Sequence, residues 1–245
     1  MKTSLLVAFL AIALIGCEPQ PVSTPPTAMS ATPKPIKSEK AIAKIALIEE
    51  KPVFVLSSHS NQPDEVNAKR DMELYVDDKI RTHGRGKTQV EFNNGVGFRI
   101  GGDAVLQIQP QNRLYLTSGK MITWVKPGLK VPTEITTTFG TAAIRGTTAY
   151  VEIPKDINQG VRFFSWEGTV VVKLPNQSQE IVLLTGEEII VKPNSPTPPV
   201  VHRLDLKEWK EISKTGILLR SFKTPIPTQS IIDRLVPGQA SLDQP

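Results

Sequence analysis

The chain has 245 residues, one cysteine, 29 lysines and arginines against 24 aspartates and glutamates, and a formal net charge of +5. A single cysteine excludes an intrachain disulfide and a cysteine metal cluster. The mild basic excess is not the footprint of a nucleic-acid binder, so no nucleic-acid partner is expected.

In chain order, Lys2 gives a minimal positive start and Leu5 to Ile15 form an apolar run of 11 residues. A helix of that length is too short for a hydrocarbon core of roughly 30 Å. The run fits the core of a signal peptide over residues 1–16. Leu14-Ile15-Gly16-Cys17 then looks like a lipobox, with cleavage before Cys17 and diacylglycerol on its sulfur. The competing reading is an ordinary secretory signal with an incidental cysteine. Acylation of the freed amine as well would give the two or three chains that stable anchoring needs. The expected location is the cell envelope, lipid-anchored on the periplasmic face of the outer or inner membrane.

Residues 17–40 read as the lipidated cysteine and a tether, because Pro19, Pro21, Pro25, Pro26, Pro33 and Pro35 alternate with small polar residues. Residues 41–192 read as a β domain. Val53 to Leu56, Val90 to Ile100, Val105 to Leu116, Met121 to Val125, Val170 to Leu174 and Ile181 to Val191 hold short, mostly alternating apolar runs. Gly95, Gly119, Gly146, Gly168 and Gly186 precede such runs at steps of 24, 27, 22 and 18 residues. That recurrence predicts an all-β fold, a solenoid-like or β-roll stack of short strands, with a β-sandwich as the alternative. Residues 193–202 are a proline-rich linker, and 203–245 a small C-terminal helical tail. In that tail Asp205 and Glu208 resemble a capping box, Gly216 ends the helix, and a second short helix covers Ser230 to Leu235. The tail is expected to pack back on the β domain; the alternative is that Trp209 docks a partner.

Three pieces between Leu74 and Ile189 resemble the FecR domain, a periplasmic signal-sensing domain. Leu74 to Thr82 is similar to the family's "L-x-x-G-D-x-I-x-T" opening, with Asp77 where glycine is usual. Gly140 to Val151 holds its most specific piece, a small-residue strand followed by Arg145-Gly146-Thr147. Trp166-Glu167-Gly168 with the following valines, and Leu184 to Ile189 around Gly186, resemble the ending. On the residues alone, Gly146 permits a tight bend, and Arg145, Gly146, Thr147, Glu167, Gly168 and Gly186 are expected to serve the structure first. The resemblance implies signal sensing. FecR-type regulators also carry an anti-sigma segment and a membrane helix, neither of which is legible here. Any signal is therefore expected to pass through another envelope protein.

Catalytic patterns are missing from the sequence. His59, His83 and His202 lie far apart without metal spacing. Gly95-Val96-Gly97 fails the dinucleotide fingerprint. Asp77-Asp78 and Glu187-Glu188 are neighbours that a strand sends to opposite faces. No enzyme activity, metal or cofactor is expected. Lys79, Arg81, His83, Arg85 and Lys87 alternate, which on a continuous strand makes a basic face for an anion, although Gly84 and Gly86 interrupt it. The sequence thus reads as a non-enzymatic envelope lipoprotein for signal sensing or protein interaction. The alternative is a structural protein that binds cell-wall polysaccharide. An exposed aromatic groove would favour polysaccharide, and an exposed apolar patch near Trp209 a protein partner.

Overall fold

The computed structural model describes residues 40–59, 64–175, 177–195 and 197–237. The signal segment 1–16, the lipidation site Cys17 and the tether up to residue 39 lie outside the described residues.

Period-two alternation builds sixteen strands in one open sheet among these residues. In chain order they are β1 (Ala43–Glu50), β2 (Val53–Leu56), β3 (Glu65–Asn67), β4 (Glu73–Leu74), β5 (Lys79–Thr82) and β6 (Lys87–Phe92). There follow β7 (Val96–Gln109), β8 (Arg113–Val125), β9 (Pro132–Thr137), β10 (Gly140–Arg145) and β11 (Thr148–Ile153). Last come β12 (Val161–Glu167), β13 (Val170–Lys173), β14 (Glu180–Leu183), β15 (Glu187–Val191) and β16 (His202–Arg203).

The β7–β8 hairpin organises the rest. Its register shifts between Gly101 and Val105. Gly102 and Asp103 there have left-handed φ values of 70° and 59°. A bulge of this kind bends both strands, and each half joins a different wing. The first wing holds β4, β1, β6, the start of β7, the end of β8, β11, β12, β15 and β16. The second holds β3, β2, β5, the end of β7, the start of β8, β9, β10, β13 and β14.

The inward faces of the wings share one core. Ile45, Val90, Phe98, Met121, Val151 and Phe163 of the first wing cluster with Val55, Ile80, Leu106, Ile135, Val172 and Leu183 of the second. A Cβ on Gly140 of β10 would come within 3.5 Å of the Phe163 ring of β12. Complete burial of such a side chain contributes about 1.5–3 kcal/mol.

The tail covers the outward face of the first wing. Helix α1 (Leu206–Thr215) starts with the anticipated capping box and α2 (Ile217–Arg220) follows Gly216. Asp205 accepts from the Lys207 and Glu208 amides, both at 2.8 Å, while Glu208 accepts from the Asp205 amide at 2.8 Å. Helix α3 (Gln229–Ile232) falls within one residue of the expected start at Ser230 and stops earlier than Leu235. Trp209, Leu218, Leu219, Phe222 and Ile232 form a second core with Ile122, Trp124, Phe164 and Trp166.

The strand content and the small helical tail agree with the expected all-β class. A solenoid-like stack is not what pairs, and this is a correction. Every described pairing is antiparallel except β8 with β9, whereas stacked coils pair in parallel. The glycine steps have another cause. Gly146, Gly168 and Gly186, all at positive φ, lie where the chain crosses from one wing to the other. Gly95 sits in a hairpin turn and Gly119 beside the bend of β8.

Candidate functional site

The three crossing corners meet one another. The Gly168 amide donates to Thr185 Oγ1 at 3.1 Å, and the Gly186 amide to the Ser165 carbonyl at 2.8 Å. A Cβ on Gly168 would meet Thr147 Cγ2 at 2.5 Å. Gly146 takes φ 77°, a region that favours glycine. Gly146, Thr147, Glu167, Gly168 and Gly186 are therefore brought together, while Arg145 is exposed.

These corners also receive the tail. Thr148 Oγ1 lies 2.8 Å from Thr228 Oγ1 and 3.3 Å from Glu167 Oε2, all three residues being buried. Pro237 packs over Gly186, where a Cβ would approach it to 2.8 Å.

Across the outward face of the first wing runs a row of registered neighbours: Leu47, Gln89, Arg99, Ile122, Tyr150, Phe164 and Glu188. Arg99 is its centre and is fully buried. Its Nε donates to Gln89 Oε1 at 2.9 Å, Nη1 to the Leu218 carbonyl at 3.1 Å, and Nη2 to the Thr224 carbonyl at 2.5 Å. The guanidinium stacks 4.1 Å from the centre of Phe222 and 5.8 Å from that of Trp124. Burial lowers its pKa to about 10, opposed by the charge of Glu49, so Arg99 stays charged at neutral pH. One side chain thus fastens the tail to the sheet. Sequence reading passed over Arg99, because alternation assigns it to a polar face. The signal was the apolar tail, which needed a face to cover.

Beside Arg99, Lys120 of β8 pairs with Glu152 of β11 at 2.9 Å, and Glu152 also accepts from the Tyr150 hydroxyl at 2.9 Å. Burial, then Glu152, raises the Tyr150 pKa, which keeps it a neutral donor. Arg162 of β12 pairs with Glu188 and lies 5.2 Å from the centre of the Phe164 ring.

The opening motif stitches a turn. Asp77 takes φ 69° where the FecR pattern has glycine, a conformation aspartate tolerates better than most residues. Asp78 is buried; its carboxylate accepts from the Ser58 amide at 2.7 Å and the Tyr75 amide at 2.9 Å. Thr82, also buried, accepts from the Ala104 amide at 3.0 Å.

The expected basic face does not form. Lys79 and Arg81 lie on β5, with Arg81 paired to Glu65. Arg85 and Lys87 converge instead on Glu50, at 2.8 and 2.7 Å. The turn at Gly84 and Gly86 separates the two halves, and three of the four cations are paired with only two carboxylates, Glu65 and Glu50.

No group of three or more His, Cys, Asp or Glu side chains that could hold a metal ion occurs among the described residues. Ser58 Oγ lies 3.0 Å from His59 Nδ1 and 3.0 Å from Asp78 Oδ1. His83 approaches Asp103 at 3.3 Å, and His202 approaches Glu188 at 3.4 Å. Among the exposed large apolar side chains are Ile190 at 45%, Val200 at 83% and Val201 at 38%, with Leu206 at 58% opening α1; Ile190 and Val200 line one surface cleft.

Residues 78–171 match the family described as FecR protein. Two solved structures of a "putative anti-sigma factor from Parabacteroides distasonis ATCC 8503" are similar in part. One is 17% identical with a TM-score of 0.45, over 55% of this chain and 63% of that one. The other is 17% identical with a TM-score of 0.47, over 58% and 64%. The chain thus spans a little under two thirds of the length of those structures. No curated protein matches it.

Proposed function

With residues 78–171 forming a FecR domain as the premise, we propose that this chain is a non-enzymatic bacterial envelope lipoprotein that senses or relays a signal by protein contact. The FecR match is the observation that carries this reading. Lipid on Cys17 anchors the chain, and the tether holds the folded part away from the bilayer. No helix among the described residues is long and apolar enough to cross a membrane.

The contact surface in this reading is the exposed apolar group of Ile190, Val200, Val201 and Leu206. Exposed apolar side chains brought together on a folded surface mark an interaction site, and Ile190 and Val200 line one surface cleft. The family residues around Gly146, Gly168 and Gly186 act as the frame that holds the tail and this strand in place. Polysaccharide binding has less support, because all three tryptophans are buried. Residues Lys79, Arg81, Arg85 and Lys87 have no role in this reading as a joint anion patch.

The test is crosslinking in intact cells, followed by recovery of the full chain from membranes. One envelope protein should crosslink reproducibly to wild type and be lost in Val200→Asp with Val201→Asp. Cys17→Ser should move the chain out of the membrane fraction. Sedimentation on purified cell wall with no specific protein crosslink would overturn the reading in favour of polysaccharide binding.

A further inference from the structure

Where the chain enters the sheet, it passes a cluster of unpaired cations. Asn93, in the turn between β6 and β7, holds the entering segment. Its backbone amide donates to the Ile42 carbonyl at 3.0 Å, and its side-chain amide to the Ala41 carbonyl at 2.9 Å. Two residues on, the Gly95 carbonyl accepts from the Lys126 amide at 2.9 Å. A Cβ on Gly95 would meet Leu129 Cδ1 at 2.4 Å, and one on Gly146 would meet the Leu129 carbonyl at 3.0 Å. The entering segment, the Asn93–Gly95 turn, the loop of residues 126–130 between β8 and β9, and the Arg145–Gly146 corner therefore touch in series.

Every residue of that loop is exposed, and so are Lys40 and Arg145. The side chains of Lys126, Lys130 and Arg145 have no hydrogen-bond or ion-pair partner among the described residues, whereas Lys87, Lys120 and Arg162 are all paired. Two carboxylates lie nearby. Glu167 is buried and lines a hollow that Lys130 and Arg145 also line. Glu134 stands diagonal to Arg145 across the β9–β10 ladder without pairing with it. Leu129, 42% exposed, sits among the cations. The sequence adds to the charge, since residues 34–40 hold Lys34, Lys37 and Lys40 against Glu39. Unpaired positive charge around an exposed apolar side chain suits a surface of anionic headgroups. Its place beside the segment that leads back to Cys17 favours the bilayer over a soluble anion.

We propose that Lys126, Leu129, Lys130 and Arg145 dock the folded part onto the anionic phospholipid headgroups of the membrane that anchors the chain. The inference rests on the anchoring half of the proposed function and not on the Val200 surface. The tether sets the range over which the fold moves, and the patch decides which surface meets the bilayer at the near limit.

The test couples the full chain through Cys17 to a maleimide lipid in vesicles, so that an anchor is present whether or not cells supply one. Hydrogen exchange read by mass spectrometry follows the loop of residues 126–130. Exchange there should be slower on phosphatidylcholine vesicles holding roughly one third phosphatidylglycerol than on phosphatidylcholine alone. Salt at about 1 M, which shortens the Debye length to about 3 Å, should remove that protection. The turn at His83, which approaches Asp103 in the bend of β7, should exchange equally on both. Each lysine or arginine near an anionic surface strengthens binding about fivefold. Arg145→Gln should therefore lower the ratio of docked to free chain about fivefold, and Lys126→Gln, Lys130→Gln and Arg145→Gln together about a hundredfold. If Arg145→Gln does not fold, Lys126→Gln with Lys130→Gln serves, with a loss of about 25-fold. Equal exchange on the two kinds of vesicle would overturn the proposal, as would protection that survives the triple change. Protection by inorganic phosphate on phosphatidylcholine alone would assign the cations to a soluble anion and overturn it too. Docking of the coupled chain, with no lipid on Cys17 of the chain recovered from cells, would support the patch and overturn the anchoring, so the two fail separately.

Discussion

The outward face of the first wing carries Arg99, Ile122, Trp124, Phe164 and Trp166, all buried beneath the tail. The outward face of the second carries Lys79, Arg81, Glu134, Lys173 and Val182, all open to solvent. Both faces are built partly by the β7–β8 hairpin. The difference is what covers them. A sheet needs one apolar face to form a sandwich; a second apolar face requires another layer, and here the helices supply it. The covered face therefore tolerates little change, whereas the open face is free to vary.

This contrast can be broken most forcefully at its centre. Arg99→Ala should destabilise the fold by about 3–5 kcal/mol, because the carbonyls of Leu218 and Thr224 and the amide of Gln89 lose their buried charged partner. Chemical denaturation measures that loss. Limited proteolysis should then cut first between residues 203 and 237. A cut within β5 or β9 instead would show that Arg99 does not hold the tail specifically.

A smaller break lies two register pairs away. Gly97 faces Trp124 across the β7–β8 ladder, and a Cβ there would lie 2.6 Å from the indole ring. Gly97→Ala should force the ring aside and cost about 1–3 kcal/mol, seen as a lower denaturation midpoint and altered tryptophan fluorescence. Val182→Thr and Arg81→Ala on the open face should each stay within about 1 kcal/mol of wild type. Losses there comparable to Gly97→Ala would mean that the second wing is covered too.

The smallest effect concerns pH. Backbone amides, that of Glu208 above all, hold the Asp205 carboxyl below its ordinary pKa of 3.8. A depressed carboxylate contributes its stability fully above the ordinary value and loses it as pH falls through the folded one. The start of α1 should therefore fray below pH 3.8 while the β core holds. Faster hydrogen exchange at the Lys207 and Glu208 amides would reveal it, and Asp205→Asn should remove most of that pH dependence.

Much of this was legible in the residues themselves. Alternation marked the strands because a strand sends successive side chains to opposite faces. The Asp205–Glu208 capping box and the end at Gly216 were legible because helix caps are local chemistry. The FecR pieces were legible as motifs, and Asp77 could stand for glycine because the position asks only for a left-handed backbone. The glycine recurrence was real as well, but sequence could not distinguish coil corners from wing crossings, since both require the same φ.

Local pattern therefore determined which residues share a strand face, where helices begin and where the chain turns. Tertiary structure alone decided what lies against each face. It placed Arg99, a charged residue in an alternating strand, under carbonyls more than a hundred positions away. It divided Lys79 and Arg81 from Arg85 and Lys87, and set Glu50 and Glu65 against them. It gathered three crossings against one another. The physical reason is range: turns and caps are fixed by neighbours a few residues apart, whereas layer and partner follow from long-range register and from the apolar area the whole chain must bury.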